Sequence, residues 1–261
     1  MKPDYKNWMP KGMVASFAAG ACISLAFFLL VRGLAPAGTA KTVLSIAGAV
    51  LTLACAAAGA WSLGLYRAFD YGGKRQMSRQ IIEGTASRVH LPEGGTCLDV
   101  GCGSGALSIA VAKRNPHASV IGVDRWGKEY ASFSRKLCED NARAEGVSGV
   151  RFQQGDALHL EFEDETFDAV TSNYVYHNIP VKDRQAVVLE TLRTLKKGGS
   201  FVIHDIFSQS KYGDMAAFVR RLRNMGYEKV ELIDTDEGLF MKKSEAAWMG
   251  LSGSALLVGT K

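Results

Sequence analysis

Residues 12–31 and 42–65 contain no charged side chain, over 20 and 24 consecutive positions. A helix needs about 20 apolar residues to cross the hydrocarbon core of a bilayer, so both runs are long enough to span it. A buried core helix rarely stays free of charge for so long, and here two such runs stand back to back. We expect a transmembrane helical hairpin over residues 1–65, a joint over 66–77 and a larger domain over 78–261. The hairpin ties the chain to the bilayer.

The net charge of +5 divides unevenly. Residues 1–65 hold five bases (Lys2, Lys6, Lys11, Arg32, Lys41) and one acid, Asp4, leaving 26 bases and 25 acids in the rest of the chain. Binding to nucleic acid draws on a basic surplus that neutralises phosphates, and the larger domain has none, so nucleic acid is not an expected partner. The surplus follows membrane topology instead. Lys2, Lys6 and Lys11 precede the first run; Arg67, Lys74, Arg75 and Arg79 follow the second. The positive-inside bias then predicts a two-pass protein of the cell membrane with both termini and the larger domain in the cytoplasm. Trp8, Trp61 and Tyr66 fall near the expected interfaces. One alternative stays open: the basic start, the apolar run and Ala35-Pro36-Ala37 also imitate a cleaved signal peptide.

Small residues repeat at four-residue steps in both runs, as Gly48, Thr52, Ala56 and Ala60 and as Ala18, Cys22 and Ala26. Such stripes let helices approach closely in lipid, within the hairpin or in a homodimer. The five cysteines show neither disulfide nor zinc spacing, and the five histidines lack any paired metal-ligand pattern, so no metal site is expected.

Beyond residue 77 the pattern alternates. Helical spacing covers 78–89, 106–114, 128–145, 182–195 and 214–225. Strands are expected at 96–100, 119–123, 150–154, 167–173, 201–206, 229–233 and 255–260. This alternation implies a Rossmann-like, doubly wound α/β sheet, mostly parallel. Residues 234–254 have no evident crossover helix and no assigned role.

The sharpest local signal is Asp99-Val100-Gly101-Cys102-Gly103-Ser104-Gly105, where a strand runs through alternating glycines into a helix. Glycine tolerates positive φ and lets a ligand approach the backbone. Nineteen residues past Gly105, at the end of the second strand, Asp124 is spaced to accept from ribose hydroxyls. Gly101-x-Gly103-x-x-Ala106 fits the dinucleotide pattern too, so an NAD-dependent oxidoreductase is an open alternative. A membrane protein that binds a cofactor without catalysis is another. Asp99 is placed to hold the loop or to accept from a ligand amino group, and S-adenosylmethionine carries such a group.

The ordered motifs over roughly residues 78–261 resemble those of class I S-adenosylmethionine-dependent methyltransferases. Asp99 to Gly105 is similar to the motif that holds the methionine portion, and Val123-Asp124 to the ribose-binding acid. Gly155-Asp156-Ala157 resembles the adenine-edge motif. Phe167-Asp168-Ala169-Val170 with Ser172-Asn173 resembles the fourth-strand motif opening on the active site. Leu195-Lys196-Lys197-Gly198-Gly199 resembles the turn before the fifth strand, with Lys197 where proline is usual. The resemblance implies a seven-stranded sheet with its last strand antiparallel and S-adenosylmethionine as cofactor. It implies that Asp124 binds the ribose and that Asp156 meets the adenine amino group beside the Ala157 backbone. Asp99, Gly101, Gly103, Gly105 and Asn173 complete the expected cofactor set, and Trp126 is placed to cover one adenine face.

Methyl transfer asks chiefly for positioning, and for a base only when the nucleophile arrives protonated. The candidates follow the fourth strand: Tyr174, Tyr176 and His177, of which His177 carries an imidazole, the side chain most suited to a base near neutrality. Asp205, at the end of the fifth strand, is a second candidate base. The membrane runs point to a small, hydrophobic or lipid-like acceptor.

Overall fold

The computed structural model describes residues 2–127 and 132–261. They form two compact units: Asn7–Ser78, and Arg79–Lys261 together with the N-terminal residues up to Lys6. Residues 2–6 therefore pack with the larger unit, where the sequence alone suggested the hairpin.

The smaller unit is built on α1 (Lys11–Leu34) and α2 (Thr39–Phe69), both long and apolar enough to cross a membrane. At 1.5 Å per residue they measure about 36 and 46 Å. Their contact follows Gly20, Ser24 and Phe28 on α1. A methyl added at Gly48 would lie 3.3 Å from the Phe28 Cα, one at Gly20 would lie 3.2 Å from Cys55 Sγ, and Thr52 Oγ1 is 3.0 Å from Ser24 Oγ. The expected stripes are only partly used: Gly48 and Thr52 meet α1, whereas Ala56, Ala60, Ala18, Cys22 and Ala26 face outward. The reason is geometric. On α2 a four-residue step overshoots a 3.6-residue turn, so beyond Thr52 the contact continues through Cys55 and Gly59, whereas on α1 it runs along a different row, Gly20, Ser24 and Phe28.

In the larger unit, α3 (Met77–Ala86) leads into β1 (Thr96–Val100), α4 (Ala106–Arg114), β2 (Ser119–Asp124), α5 (Arg135–Ala144) and β3 (Val150–Gln154). There follow β4 (Phe167–Asn173), a single 3-10 turn at Tyr176–Asn178, α6 (Arg184–Arg193), β5 (Leu195–Ile206), α7 (Gln209–Tyr212) and α8 (Met215–Asn224). The chain ends with β6 (Glu228–Asp234), α9 (Lys243–Met249) and β7 (Ser254–Thr260). The strands form one sheet in the order β3-β2-β1-β4-β5-β7-β6, parallel except for β7, which is antiparallel to both neighbours. This is the seven-stranded α/β architecture expected. Leu98, Val100, Val170 and Ile203 are buried on adjacent central strands, because helices cover both faces.

Chain order reverses between β1 and β4, so their carboxyl ends open the crevice where ligands of such sheets bind. The missing crossover between the last two strands is also explained: an antiparallel neighbour needs no helical crossover, and residues 235–253 form a loop carrying only the short α9. Several boundaries differ from expectation: the helix read over 78–89 already ends at Ala86, β5 begins at Leu195 rather than at 201, and two further differences concern helices. The helix read over 128–145 runs only Arg135–Ala144, started by Ser134, whose hydroxyl accepts from Leu137 N–H; its expected first turn at 128–131 lies outside the described residues. The helix read to residue 195 ends at Arg193, and the Lys196 to Gly199 stretch is a bulge inside β5 rather than a helix stop.

Candidate active site

Gly101, Gly103 and Gly105 all take positive φ, at 73°, 55° and 80°. At Gly101 the lack of a side chain is also steric: a Cβ would lie 2.3 Å from Val175 Cγ2, so the loop and the segment after β4 touch there. Gly101 and Cys102 N–H both donate to Val123 O, at 2.8 and 3.0 Å, which fastens the loop to β2. The Gly103 carbonyl accepts from the Trp126 indole at 3.0 Å and from the Cys138 thiol at 3.2 Å. A trans peptide sets the next N–H opposite its carbonyl, so the Ser104 N–H points away from these two groups.

Asp124 braces the same loop. Its Oδ2 accepts from Gly103 N–H at 2.8 Å and its Oδ1 from Trp126 N–H at 2.7 Å. Each carboxylate oxygen keeps further acceptor capacity. Gly155 N–H donates to Asp124 O at 3.0 Å, which brings the 155–157 turn alongside. Asp156 is exposed, and its Oδ1 accepts from Leu158 N–H at 2.9 Å in a local turn. Gly101, Gly103, Gly105, Asp124, Trp126 and the Asp156-Ala157 turn are thus brought together on one edge. Trp126 is half-buried with its indole N–H bound to the loop, a tie the sequence did not foretell.

Asp99 is a correction. Only 1% exposed, it accepts from Ser108 Oγ at 2.5 Å and from Thr171 Oγ1 at 3.0 Å. It holds the strand beneath the loop and does not face the crevice, because alternation along β1 turns it inward. Burial pushes its carboxyl from the ordinary 3.8 up to about 7, with the two hydroxyls opposing the rise. The folded chain therefore keeps this proton between about pH 4 and 7 while the unfolded chain has lost it, so stability falls as pH rises through that window. Asp99→Asn, neutral throughout, is expected to gain thermal midpoint relative to the parent between pH 4.5 and pH 8. A constant difference across that range would refute it.

The second half of the site follows β4. Asn173 Oδ1 accepts from His204 Nδ1 at 2.8 Å, and His204 Nε2 meets Thr235 Oγ1 at 2.9 Å. Burial drives His204 down to about 3, so it is neutral and orients the Asn173 amide. Tyr174, with φ of 55°, bonds through its hydroxyl to Ser254 Oγ at 2.7 Å and sets its ring edge-on to His177. Burial raises the Tyr174 hydroxyl well above the usual phenol range, so it stays protonated.

His177 and Asp205 form a dyad. Asp205 is fully buried and takes hydrogen bonds from His177 Nδ1, the His177 N–H at 3.2 Å, Tyr212 Oη at 2.8 Å and Ile206 N–H at 2.7 Å. With Nδ1 donating, the free lone pair of the imidazole is on Nε2, where a proton can be received. The carboxylate then holds the ring and offsets the charge gained. Asp205 is thus fully buried behind the His177 ring. Tyr176 is a second correction: fully buried, it bonds to Thr191 Oγ1 at 2.8 Å, because the 3-10 turn points it under α6. The structure adds Tyr212, Thr235 and Ser254, isolated polar residues with no sequence motif to mark them.

A glycine cradle over a switch point, a strand-end acid at β2 and an antiparallel seventh strand define a class I S-adenosylmethionine-dependent methyltransferase. Residues 91–245, more than half of the chain, match the family described as "Methyltransferase domain", and the chain belongs to that family. The cofactor of that family is S-adenosylmethionine, which closes the nicotinamide alternative. A demethylmenaquinone methyltransferase of Lactobacillus johnsonii is 35% identical over 133 residues, 48% of this chain and 52% of that protein. A "Ubiquinone/menaquinone biosynthesis C-methyltransferase UbiE" of Desulfotalea psychrophila is 31% identical over 184 residues, 70% of this chain and 66% of that one. The chain thus spans between about half and two thirds of the length of these relatives. Among solved structures, a geranyl diphosphate methyltransferase complexed with its diphosphate and sinefungin is 17% identical, with a TM-score of 0.53 over 73% of this chain and 84% of that one. The cyclase SpnF is 20% identical, with a TM-score of 0.54 over 74% and 85%. Both likenesses concern the fold.

Proposed function

We propose that this chain is a membrane-anchored enzyme that methylates a small hydrophobic acceptor bearing an acidic hydroxyl, of the quinone-precursor kind named by its relatives. The observation that carries the reading is the buried Asp205 carboxylate behind His177, two residues from the Val175 that touches Gly101. A dyad of this form suits an acceptor that must lose a proton as it reacts, such as a phenol or hydroquinone. When bound, S-adenosylmethionine supplies a methyl group already electrophilic on its sulfonium. Asp124 would take the ribose, Asp156 and the Ala157 backbone the adenine edge, and the loop N–H groups with Asn173 the methionine portion. His177 would receive the acceptor's proton at Nε2.

The anchor supports a lipid-soluble acceptor. Ile23, Leu29, Leu30, Val43, Ile46 and Leu53 are exposed on the two long helices, an apolar surface that water would not tolerate at such extent. Residues 70–76 alone separate α2 from α3, a reach of about 25 Å at most. A purified full chain with radiolabelled S-adenosylmethionine should label a prenylated hydroquinone faster than its tail-less counterpart, and a thiol or amine poorly. Preferred labelling of the thiol or amine would overturn the reading. For topology, a cysteine at Thr39 should react with impermeant maleimide from outside and one at Ser78 only after lysis, in a chain with Cys22 and Cys55 replaced. The reverse pattern would refute cytoplasmic termini.

A further inference from the structure

The residues before the first apolar helix are fastened to the catalytic unit at the cofactor loop. Asp4 N–H donates to Asn141 Oδ1 at 2.7 Å, and Asn141 Nδ2 donates back to Asp4 O at 3.0 Å. The second hydrogen of that amide goes to Ser104 O, also at 3.0 Å. Asn141 is 2% exposed, and its bond to Ser104 O is buried, while the two to Asp4 are partly so. Tyr5 is buried beside it, with its hydroxyl donating to Glu145 Oε1 at 3.1 Å, one turn further along α5. Chain termini are ordinarily loose unless something ties them down. Here a reciprocal amide pair and a buried ring do so.

The tie falls where the glycine loop needs it. Three residues with positive φ leave a loop with many accessible conformers. Trp126 and Cys138 fix the peptide carbonyl of Gly103, and Asn141 fixes the next one, at Ser104. Two successive peptide planes are thereby set before any ligand arrives, and the ordering cost is not charged against binding.

We propose that Asn141, clasped by Asp4 and Tyr5, is a positioning residue for S-adenosylmethionine that makes cofactor affinity depend on the N-terminal strap. The strap continues within five residues into α1 at Lys11, so the same segment serves the anchor and the cofactor loop. The proposal rests on the glycine loop being the cofactor cradle.

The test is calorimetric titration of the detergent-solubilised full chain with S-adenosylhomocysteine, together with steady-state kinetics. Asn141→Leu removes all three bonds of the carboxamide. The pair Asp4→Pro and Tyr5→Ala removes the strap's N–H donor and its ring without touching the loop. Each is expected to weaken binding about tenfold, raising KM for the methyl donor and leaving kcat near the parent value. The triple variant should bind no more weakly than either, since clasp and strap act as one unit. If Asn141→Leu fails to fold, the strap pair alone carries the test. Parent-like affinity in the strap pair, or a triple variant showing the product of both losses, overturns the coupling. Asp124→Ala runs alongside: parent-like binding there would bring down the cradle itself and the clasp with it, whereas lost binding there with an unaffected strap pair removes only the clasp.

Discussion

Asp124→Ala is expected to weaken S-adenosylhomocysteine binding by a hundredfold or more. The carboxylate is joined to the glycine loop through Gly103 N–H at 2.8 Å, and it also fixes Trp126 N–H at 2.7 Å. Its loss would remove the acceptors proposed for two ribose hydroxyls and loosen the loop beside them. Two charge-assisted hydrogen bonds together contribute about 3 kcal/mol or more, which is at least two decades in affinity. Asp124→Asn, retaining one acceptor oxygen, should fall between the two. The domain should remain folded, since Asp124 is half-buried at the rim of the sheet rather than within its core. Calorimetry returning the parent affinity would remove Asp124 from the cofactor site.

His177→Ala is expected to lower kcat by about a hundredfold to ten-thousandfold, the usual range for loss of a positioned base. Cofactor affinity should stay within a few-fold, because the ring bonds to Asp205 and not to the loop. Asp205→Asn should cost nearly as much, since an amide in that place can no longer accept from Nδ1, Tyr212 and two backbone N–H groups at once. The double variant should be little worse than either single one, as befits groups that act together. Tyr212→Phe removes one of the four donors and should give a smaller fall, about tenfold. Added imidazole rescuing His177→Ala, but not Asp205→Asn, would tie the loss to the proton rather than to packing. An unchanged kcat in His177→Ala would show that the acceptor reaches the site already deprotonated.

Much of this was legible along the chain because the signals are local. The glycine triplet, the acid at the end of β2 and the alternation of strands with helices each depend on a few neighbouring residues. Their outcome agrees closely: β1, α4, β3 and β4 begin and end where the periodicity puts them. The end of α6 was misread because Gly198 and Gly199 resemble a helix stop, yet Thr194 closes the helix and the glycines bulge β5 against β4. Tyr176 was misread for a related reason. A tyrosine between two site residues gives no sign of which way a 3-10 turn will point it, and here the turn drives it to Thr191 in the core.

What the sequence by itself determined was therefore the fold class, a glycine loop with an acid at the end of the second strand, and the two apolar helices. All of these are written in period, spacing and composition within a few turns of chain. What only the tertiary structure decided was the partnership of residues far apart. Asp205 lies 28 positions beyond His177 and closes on its ring, His204 lies 31 before Thr235, and Asp4 lies 137 before Asn141. No local pattern encodes such pairs, because a buried polar group is satisfied by whichever donor the packing of the sheet brings within about 3 Å. For the same reason Asp99, read either as holding the loop or as accepting from a ligand, is committed to Ser108 and Thr171 beneath the loop: the alternation of β1 and the closure of α4 over the sheet left it those two hydroxyls.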